Sequence, residues 1–485
     1  MAFTGLTGTL RRALPLGLGV ALLLLFLLTQ LWTLDSFPPF VDEAFHINFG
    51  NLVREQGLFA RAEEGRQFTV WLYVAAQAQT GGAPIFVARA VTVLAVVPGV
   101  AAAIATGQLL AGGWSGALVA LLFTFSTFHL FFDRLALADP VSASAILVAA
   151  YFGARLRVRA HWLDAVLCGL ALFVAVGAKV SALPYLGLPV AAALTLKRPE
   201  TAWRDQARWA VIALVVGAGL STLFLGGLLV RGVNPFFYLQ SPSSTGQGIY
   251  FDKLALVPET LFGYAGPLMG VLLLGGLLVL LVRRQFYLPL LLIAPLLVQS
   301  LSGRQDSRHI VVSISLLLLI GAVAVEYVGV RAAPILRRLV LGLILLWVAM
   351  VWLPFMGALS NEPLNLALTS NDRDEYITAE GGGFGLAETL DALEGEGAER
   401  VIGILANCLS LRFMARDLAV DCPRLSPTGE DIPVLEALLE ANRLPGDYAV
   451  LESLPYAPQS SPGRLIAEIE GAPGRPLLRI YALGE

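Results

Sequence analysis

The feature that most constrains this chain is a succession of apolar runs, each about 20 residues long, separated by short polar stretches. A run of that length matches the thickness of a bilayer's hydrocarbon core. Such runs lie near 14–34, 84–106, 114–132, 141–154, 162–178, 181–196, 209–230, 264–282, 286–302, 310–328 and 339–356. Within lipid every backbone polar group needs an internal partner, so spans of this kind are helices. Composition agrees: 56% of the 485 residues are hydrophobic and only 14% charged, with mean hydropathy +0.72. The expected fold is therefore mostly α, a polytopic membrane protein with about 11 transmembrane helices. Arg11 and Arg12 precede the first run, but that run exceeds the apolar region of a signal peptide and no small-residue cleavage site follows. It reads as an uncleaved anchor.

Basic residues orient the spans. With the N-terminus in the cytoplasm, one set of loops carries about 14 Lys and Arg in roughly 53 positions, and the other about 9 in roughly 101. The denser set belongs inside, which places the C-terminal tail outside, in a multi-pass plasma-membrane protein. The net charge of −3 and the lack of a basic stretch argue against nucleic acid as a partner.

Past residue 356 the composition changes. Residues 357–485 hold 21 acidic residues, nine arginines and no lysine. Helix-like segments (386–394, 433–442) interleave with strand-like ones (401–405, 448–451, 464–469, 477–481). This predicts a small extracytoplasmic α/β domain over 357–485, following a transmembrane domain over 1–356. Nothing in it reads as a catalytic cluster, and a rigid cap or partner platform is the expected role. Cys408 and Cys422 lie in it. They bridge if that side is oxidising and they meet in space, and stay apart otherwise. Cys168, inside an apolar run, reads as a small core residue.

Chemistry-bearing residues gather at the outer boundary. The first external loop, 35–83, carries Asp42-Glu43-Ala44-Phe45-His46 after Pro38-Pro39. A helix begins there, with Phe45, Phe49, Leu52 and Val53 forming an apolar stripe suited to the membrane surface. Asp42 is either its N-cap or a carboxylate placed to take a proton from a hydroxyl. Arg134 and Asp139 flank the second external loop, as a salt bridge sealing a turn or as lining of a polar site. Lys179 lies between two apolar runs, where a charge is costly; it snorkels to the interface or meets a fixed anion. The loop Gly303-Arg304-Gln305-Asp306-Ser307-Arg308-His309 adds cations at the same depth. Lysine, arginine and histidine converging there would suit a phosphate headgroup. His46, His129 and His309 with Asp42 or Asp139 offer donors for a divalent metal, without the tight spacing of a metal motif. Aromatics at 236–238 and Tyr250 read as interface belt residues or as a stacking surface for a sugar. The ionisable residues inside spans, chiefly Arg89 and Glu326, form no relay.

In this order the landmarks resemble the GT-C superfamily of membrane glycosyltransferases, and within it the family 39-like protein O-mannosyltransferase and aminoarabinose-transferase type. The family's acidic pair in the first external loop is matched by Asp42-Glu43. Its Arg…Asp-Pro element resembles Arg134 to Asp139-Pro140. Its Gly-x-x-Lys resembles Gly177 and Lys179, one residue short, and Arg308-His309 resembles the basic opening of a late span. Asp374-Glu375-Tyr376 with Gly382-Gly383-Phe384-Gly385 resembles the start of related extracytoplasmic domains. Phe45 departs from the family, where an aromatic hydroxyl is common, and the tail lacks trefoil-like repeats. The resemblance implies an inverting transfer of a monosaccharide from a polyprenyl-phosphate donor to an acceptor hydroxyl on protein, lipid or glycan. It implies Asp42 as general base, with Glu43 and Asp139 positioning base or acceptor and His46 in support. Lys179, Arg308, His309 and Arg134 would hold the donor phosphate. No cofactor is required, because phosphate is a fair leaving group. A transporter or lipid flippase, and a non-catalytic envelope assembly subunit, are the rival readings; substrate flux without sugar transfer would mark the first, and function surviving loss of the polar site the second.

Overall fold

Helices occupy every one of the apolar segments, because a chain segment without water to bond to must satisfy its own amides. The computed structural model describes residues 2–484 apart from 33, 81–83, 197–202, 238–251, 301–306, 330–333, 424–430, 443, 455–457 and 459–460. The membrane body comprises α1 (Ala2–Leu31), α4 (Pro84–Ala111), α5 (Ser115–Thr124), α6 (Thr127–Phe132), α7 (Ala138–Arg159), α8 (Trp162–Ala178), α9 (Leu188–Thr195), α10 (Trp203–Val230), α11 (Asp252–Val282), α12 (Tyr287–Gln299), α13 (Val311–Gly329), α14 (Pro334–Trp347) and α15 (Leu353–Asn361). The first external loop supplies α2 (Val41–Gln56) and α3 (Gln67–Thr80). Among the described residues, six helices are long and apolar enough to cross a membrane. Leu16, Leu24 and Leu28 on α1 and Val215 and Leu223 on α10 are exposed. Apolar faces of this extent belong in lipid rather than water. The chain is a multi-pass membrane protein.

The remaining apolar segments are shorter helices or broken ones, and the breaks have local causes. The run at 114–132 divides into α5 and α6 because Ser126 turns its hydroxyl to the His129 amide (3.3 Å) and restarts the helix. The run at 181–196 opens as a 3-10 segment, Val180–Gly187, where Pro184 has no amide to give a helical ladder. Pro98 interrupts α4, and Ser144 of α7 compensates: its hydroxyl donates to the Ala95 carbonyl (2.7 Å) and accepts the Gly99 amide (3.0 Å). That exchange seats α7 against α4, which brings Asp139 on one and Arg89 on the other to the same end of the body.

The most enclosed span is Ser307–Val328, 83% of whose most apolar window is buried. The other elements pack around it. Their core runs past residue 356, since Leu366, Tyr376, Ile377 and Phe384 join it.

Beyond lie α16 (Ser370–Arg373), a single π turn (Asp374–Thr378), α17 (Leu386–Gly395), α18 (Cys408–Met414), α19 (Ile432–Ala441) and five strands. The strands are β1 (Arg400–Ile404), β2 (Ala419–Asp421), β3 (Asp447–Glu452), β4 (Arg464–Ile469) and β5 (Leu478–Ala482), in the order β2-β1-β3-β5-β4. β1 runs parallel to β2 and β3, whereas β5 is antiparallel to β3 and β4. Alternate residues of β1 and β3 enter two cores. Val401, Tyr448 and Val450 pack with Leu386, Leu390 and Leu411, while Ile402, Ile404, Ala449 and Leu451 pack with Leu435 and Leu439. A strand covered on both faces carries an unbroken apolar run, which is why 401–405 and 448–451 are legible as strands. The three-residue β2 is too short to show a pattern. Cys408 and Cys422 are bonded, tying α18 to the end of β2.

Candidate active site

The first loop brings the acidic pair to the membrane body. α2 starts after Phe40, whose amide is bonded by the Glu43 carboxylate (2.9 Å). The N-cap is thus Phe40 and not Asp42; Asp42 lies in the first turn, where a carboxylate is favoured by the helix dipole. The stripe read from the sequence is seated: Phe49 and Val53 are buried against Val70, with Leu52 partly buried, while Phe45 remains exposed.

Glu43 and Asp42 face different partners. Glu43 is fully buried and its oxygens receive Arg89 Nε (2.8 Å), Arg89 Nη2 (2.7 Å) and the Ala136 amide (2.8 Å), in addition to Phe40. Arg89 in turn donates to the carbonyls of Leu34 (2.6 Å), Phe37 (2.8 Å) and Pro38 (3.2 Å). This buried fork-to-fork pair fastens the loop entering α2 to α4 and to the turn before α7. The carboxylate partner of Arg89 lies 46 residues away in sequence and is brought to it by the fold.

Asp42 points the other way. Its Oδ2 accepts from Arg308 Nη1 at 2.6 Å, and Arg308 Nη2 lies 3.2 Å from Glu375 of the π turn. Arg308 belongs to a 3-10 turn, Ser307–Ile310, that opens α13. Beside it is a small cleft whose walls include Asp139, Lys179, Arg308, His309, Tyr185 and Gln299. Lysine, arginine and histidine do converge. Lys179 caps α8 and is ion-paired to Asp139, with Arg66 and Arg308 within electrostatic reach. Gly177 makes this possible, because a β-carbon there would fall 2.4 Å from the Phe68 ring of α3.

Arg134 departs from the expectation. It is wholly buried, donates to the Thr29 carbonyl of α1 (3.0 Å), and is absent from the cleft wall. Asp139 pairs with Lys179 rather than with Arg134, so both readings of that loop are corrected: it is neither a self-contained salt bridge nor a joint lining. His46 is likewise absent from the cleft wall. Its Nδ1–H donates to the Ala136 carbonyl (2.8 Å) and its Nε2 accepts from Arg66 Nη1 (2.5 Å). Those partners demand a neutral ring, and burial, reinforced by Arg66, pushes its pKa down to about 4. An unfolded histidine titrates near 6.5. Between these values the unfolded chain binds the extra proton, so His46 withdraws stability as pH falls from about 6.5 to about 4, and has no effect above. Thermal unfolding of wild type and His46→Gln at pH 7.5 and pH 5 checks this: the wild type should lose more stability than the variant on acidification.

Sequence reading overlooked Arg66, and met Glu375 only within the Asp374-Glu375-Tyr376 resemblance of the tail, without a place at the site. Arg66 is presented by Gly65, a left-handed residue (φ 66°) whose carbonyl takes the Val180 amide (2.9 Å) and whose missing β-carbon leaves room for Pro235 and Val180. The segment around Glu375 is held at the site by the tail. The Val41 amide donates to Gly381 (3.0 Å), Asn407 donates to Pro39 (3.0 Å) and Gly381 (3.1 Å), and Phe384 packs edge-on to Phe37. His129 bonds Asp133 (2.9 Å) and Ser315 (3.3 Å), apart from His46 and His309. Among the described residues no three His, Cys, Asp or Glu side chains gather to hold a metal. Phe236 packs on the helical core and Phe237 is exposed; Tyr238, Tyr250 and Arg304 lie outside the described residues.

In its fold, a helical membrane body followed by a small C-terminal α/β unit, the chain is similar to solved structures of ArnT and of an oligosaccharyltransferase. ArnT from Cupriavidus metallidurans is similar over nearly its whole length: the apo structure is 16% identical, with 96% of this chain and 98% of that chain covered at TM-score 0.65. The same protein bound to undecaprenyl phosphate is similar at TM-score 0.63, with 15% identity and 95% and 97% covered. The Archaeoglobus fulgidus oligosaccharyltransferase AglB, in complex with an inhibitory peptide and a dolichol-phosphate, is 12% identical, with 91% and 70% covered at TM-score 0.54. No family model and no curated protein matches the sequence.

Proposed function

We propose that the protein transfers a monosaccharide from a polyprenyl-phosphate donor to an acceptor hydroxyl, by a single inverting displacement on the extracytoplasmic side. The observation that carries this reading is the Asp42–Arg308 contact beside a cleft that also holds Lys179 and His309. Acid and cations meet where a hydroxyl, an anomeric carbon and a phosphate would have to meet. The fold's relatives support the donor class, since ArnT binds undecaprenyl phosphate and AglB a dolichol-phosphate. The outward orientation is supported by the basic bias of the opposite loops and by the Cys408–Cys422 disulfide, which belongs in an oxidising space.

In this mechanism Asp42 takes the proton of the acceptor hydroxyl as its oxygen bonds to the anomeric carbon. The bond from that carbon to the donor phosphate breaks on the opposite face, and its electron pair leaves with the phosphate. Arg308 and Lys179 lie against the charge that grows there. An ammonium has three donors, so the Asp139 pairing orients Lys179 and leaves it capacity for a phosphate oxygen. His309 completes the phosphate side. Glu43 positions Asp42 through α2. This chemistry is the same whether the acceptor hydroxyl is carried by protein, lipid or glycan.

Transfer from a labelled polyprenyl-phosphate sugar by the purified protein tests the reading; release of label to the aqueous side with no glycosylated product would sink it in favour of transport. Lys179→Ala is expected to raise the donor KM by roughly 10- to 100-fold, the worth of one hydrogen bond to a charged group. An unchanged donor dependence in steady-state kinetics would remove Lys179 from the phosphate.

A further inference from the structure

Arg308 is shared between two acids from distant parts of the chain. Nη1 meets Asp42 at 2.6 Å and Nη2 meets Glu375 at 3.2 Å. A guanidinium grips a phosphate with two parallel N–H donors, and here both terminal nitrogens face carboxylates. A phosphate arriving with both acids in place would stand within a few ångströms of two like charges. One acid has to yield.

The surroundings decide which. Asp42 lies in the first turn of α2, next to the locked Glu43, with the Val41 amide tied to Gly381. Its contact with Arg308 is the shorter one. Glu375 makes the longer contact from a single π turn, a feature concentrated at functional sites. The backbone on either side of it is pinned. Tyr376 is fully buried, its ring 4.5 Å from Phe40 and 5.2 Å from Phe131. Asp372 accepts the Tyr264 hydroxyl (2.8 Å) and the Thr369 hydroxyl (2.8 Å). The Glu375 side chain is 23% exposed and Asp42 25%, so exposure does not separate the two acids; the contact lengths and the anchoring of α2 do. Glu375 can turn to water while its backbone stays.

We propose that Glu375 is an exchangeable counter-ion: it holds Arg308 while the donor is absent and gives it up to the donor phosphate. This rests on Arg308 being the phosphate-binding residue of the reaction proposed above. Glu375 is then a positioning residue that sets donor affinity, and removing its charge tightens donor binding.

The experiment is binding of a short-chain polyprenyl phosphate to the full-length protein in detergent, for wild type, Glu375→Gln, Glu375→Asp and the neighbouring control Asp374→Asn, with steady-state transfer alongside. Expected is a roughly five- to tenfold tighter Kd and lower donor KM in Glu375→Gln, with kcat retained, wild-type behaviour restored in Glu375→Asp, and no change in Asp374→Asn. Unchanged or weaker binding in Glu375→Gln overturns the proposal, as does equal tightening in Asp374→Asn, which would make it a general charge effect. So does a loss of kcat at constant KM, which would make Glu375 part of the chemistry. Tighter polyprenyl phosphate binding in Glu375→Gln without any sugar transfer by the wild type would sustain the counter-ion and sink the transferase reading, so the two fail separately.

Discussion

Asp42→Asn is expected to lower turnover by about 10²- to 10⁴-fold, the usual contribution of a positioned general base, while the protein folds and binds donor. The substitution is nearly isosteric. The side-chain amide keeps an oxygen that can accept from Arg308 Nη1, now at 2.6 Å from the carboxylate, so the juncture of α2 with α13 is preserved. What it removes is the negative charge, and with it the basicity that lets the carboxylate take a proton. Single-turnover transfer from a labelled lipid-linked sugar, with donor binding measured separately, isolates that step. Full turnover in the variant would exclude Asp42 as the base.

Glu43→Ala should act on stability instead. Its carboxylate is the counter-charge of Arg89, and both side chains are essentially inaccessible to water. Removing one member of a buried ion pair leaves the other charged and unmatched, at a cost of about 3–5 kcal/mol. Two amides, those of Phe40 and Ala136, lose their acceptor as well. The expected result is a large fall in Tm in detergent, or failure to purify as a folded species. Glu43→Gln, which keeps acceptor and donor capacity, should fall between. A Glu43→Ala protein of normal Tm but no activity would reverse the assignment and put Glu43 in the chemistry. Neighbours in sequence, Asp42 and Glu43 are thus expected to fail in different ways, one in rate and one in folding.

Much of the fold was legible before any coordinates. Long apolar runs have one solution in lipid, so the helices fell where the hydropathy placed them. The strands 401–405 and 448–451 are apolar on both faces, and the sheet buries both. The chemistry-bearing set was legible because charge near hydrocarbon is costly and seldom idle; Lys179, Arg308 and His309 do share a cleft with Asp139. Arg134 and His46 mark the limit of that reading. Each carries a functional group at the right depth, but depth does not say which way a side chain turns. Arg134 turns to a carbonyl of α1, and His46 is held between Ala136 and Arg66.

By itself the amino-acid sequence determined the membrane class, the helical segments and the depth at which polar chemistry gathers. These follow from transfer free energies, which each residue carries locally. Only the tertiary structure decided that Glu43 belongs to Arg89 and Asp42 to Arg308, that Asp139 pairs with Lys179 and not Arg134, and that Glu375 reaches back from beyond the last helix. Ion pairs are made across tens to hundreds of residues, and hydropathy sets how deep a charge sits but not which opposite charge it meets.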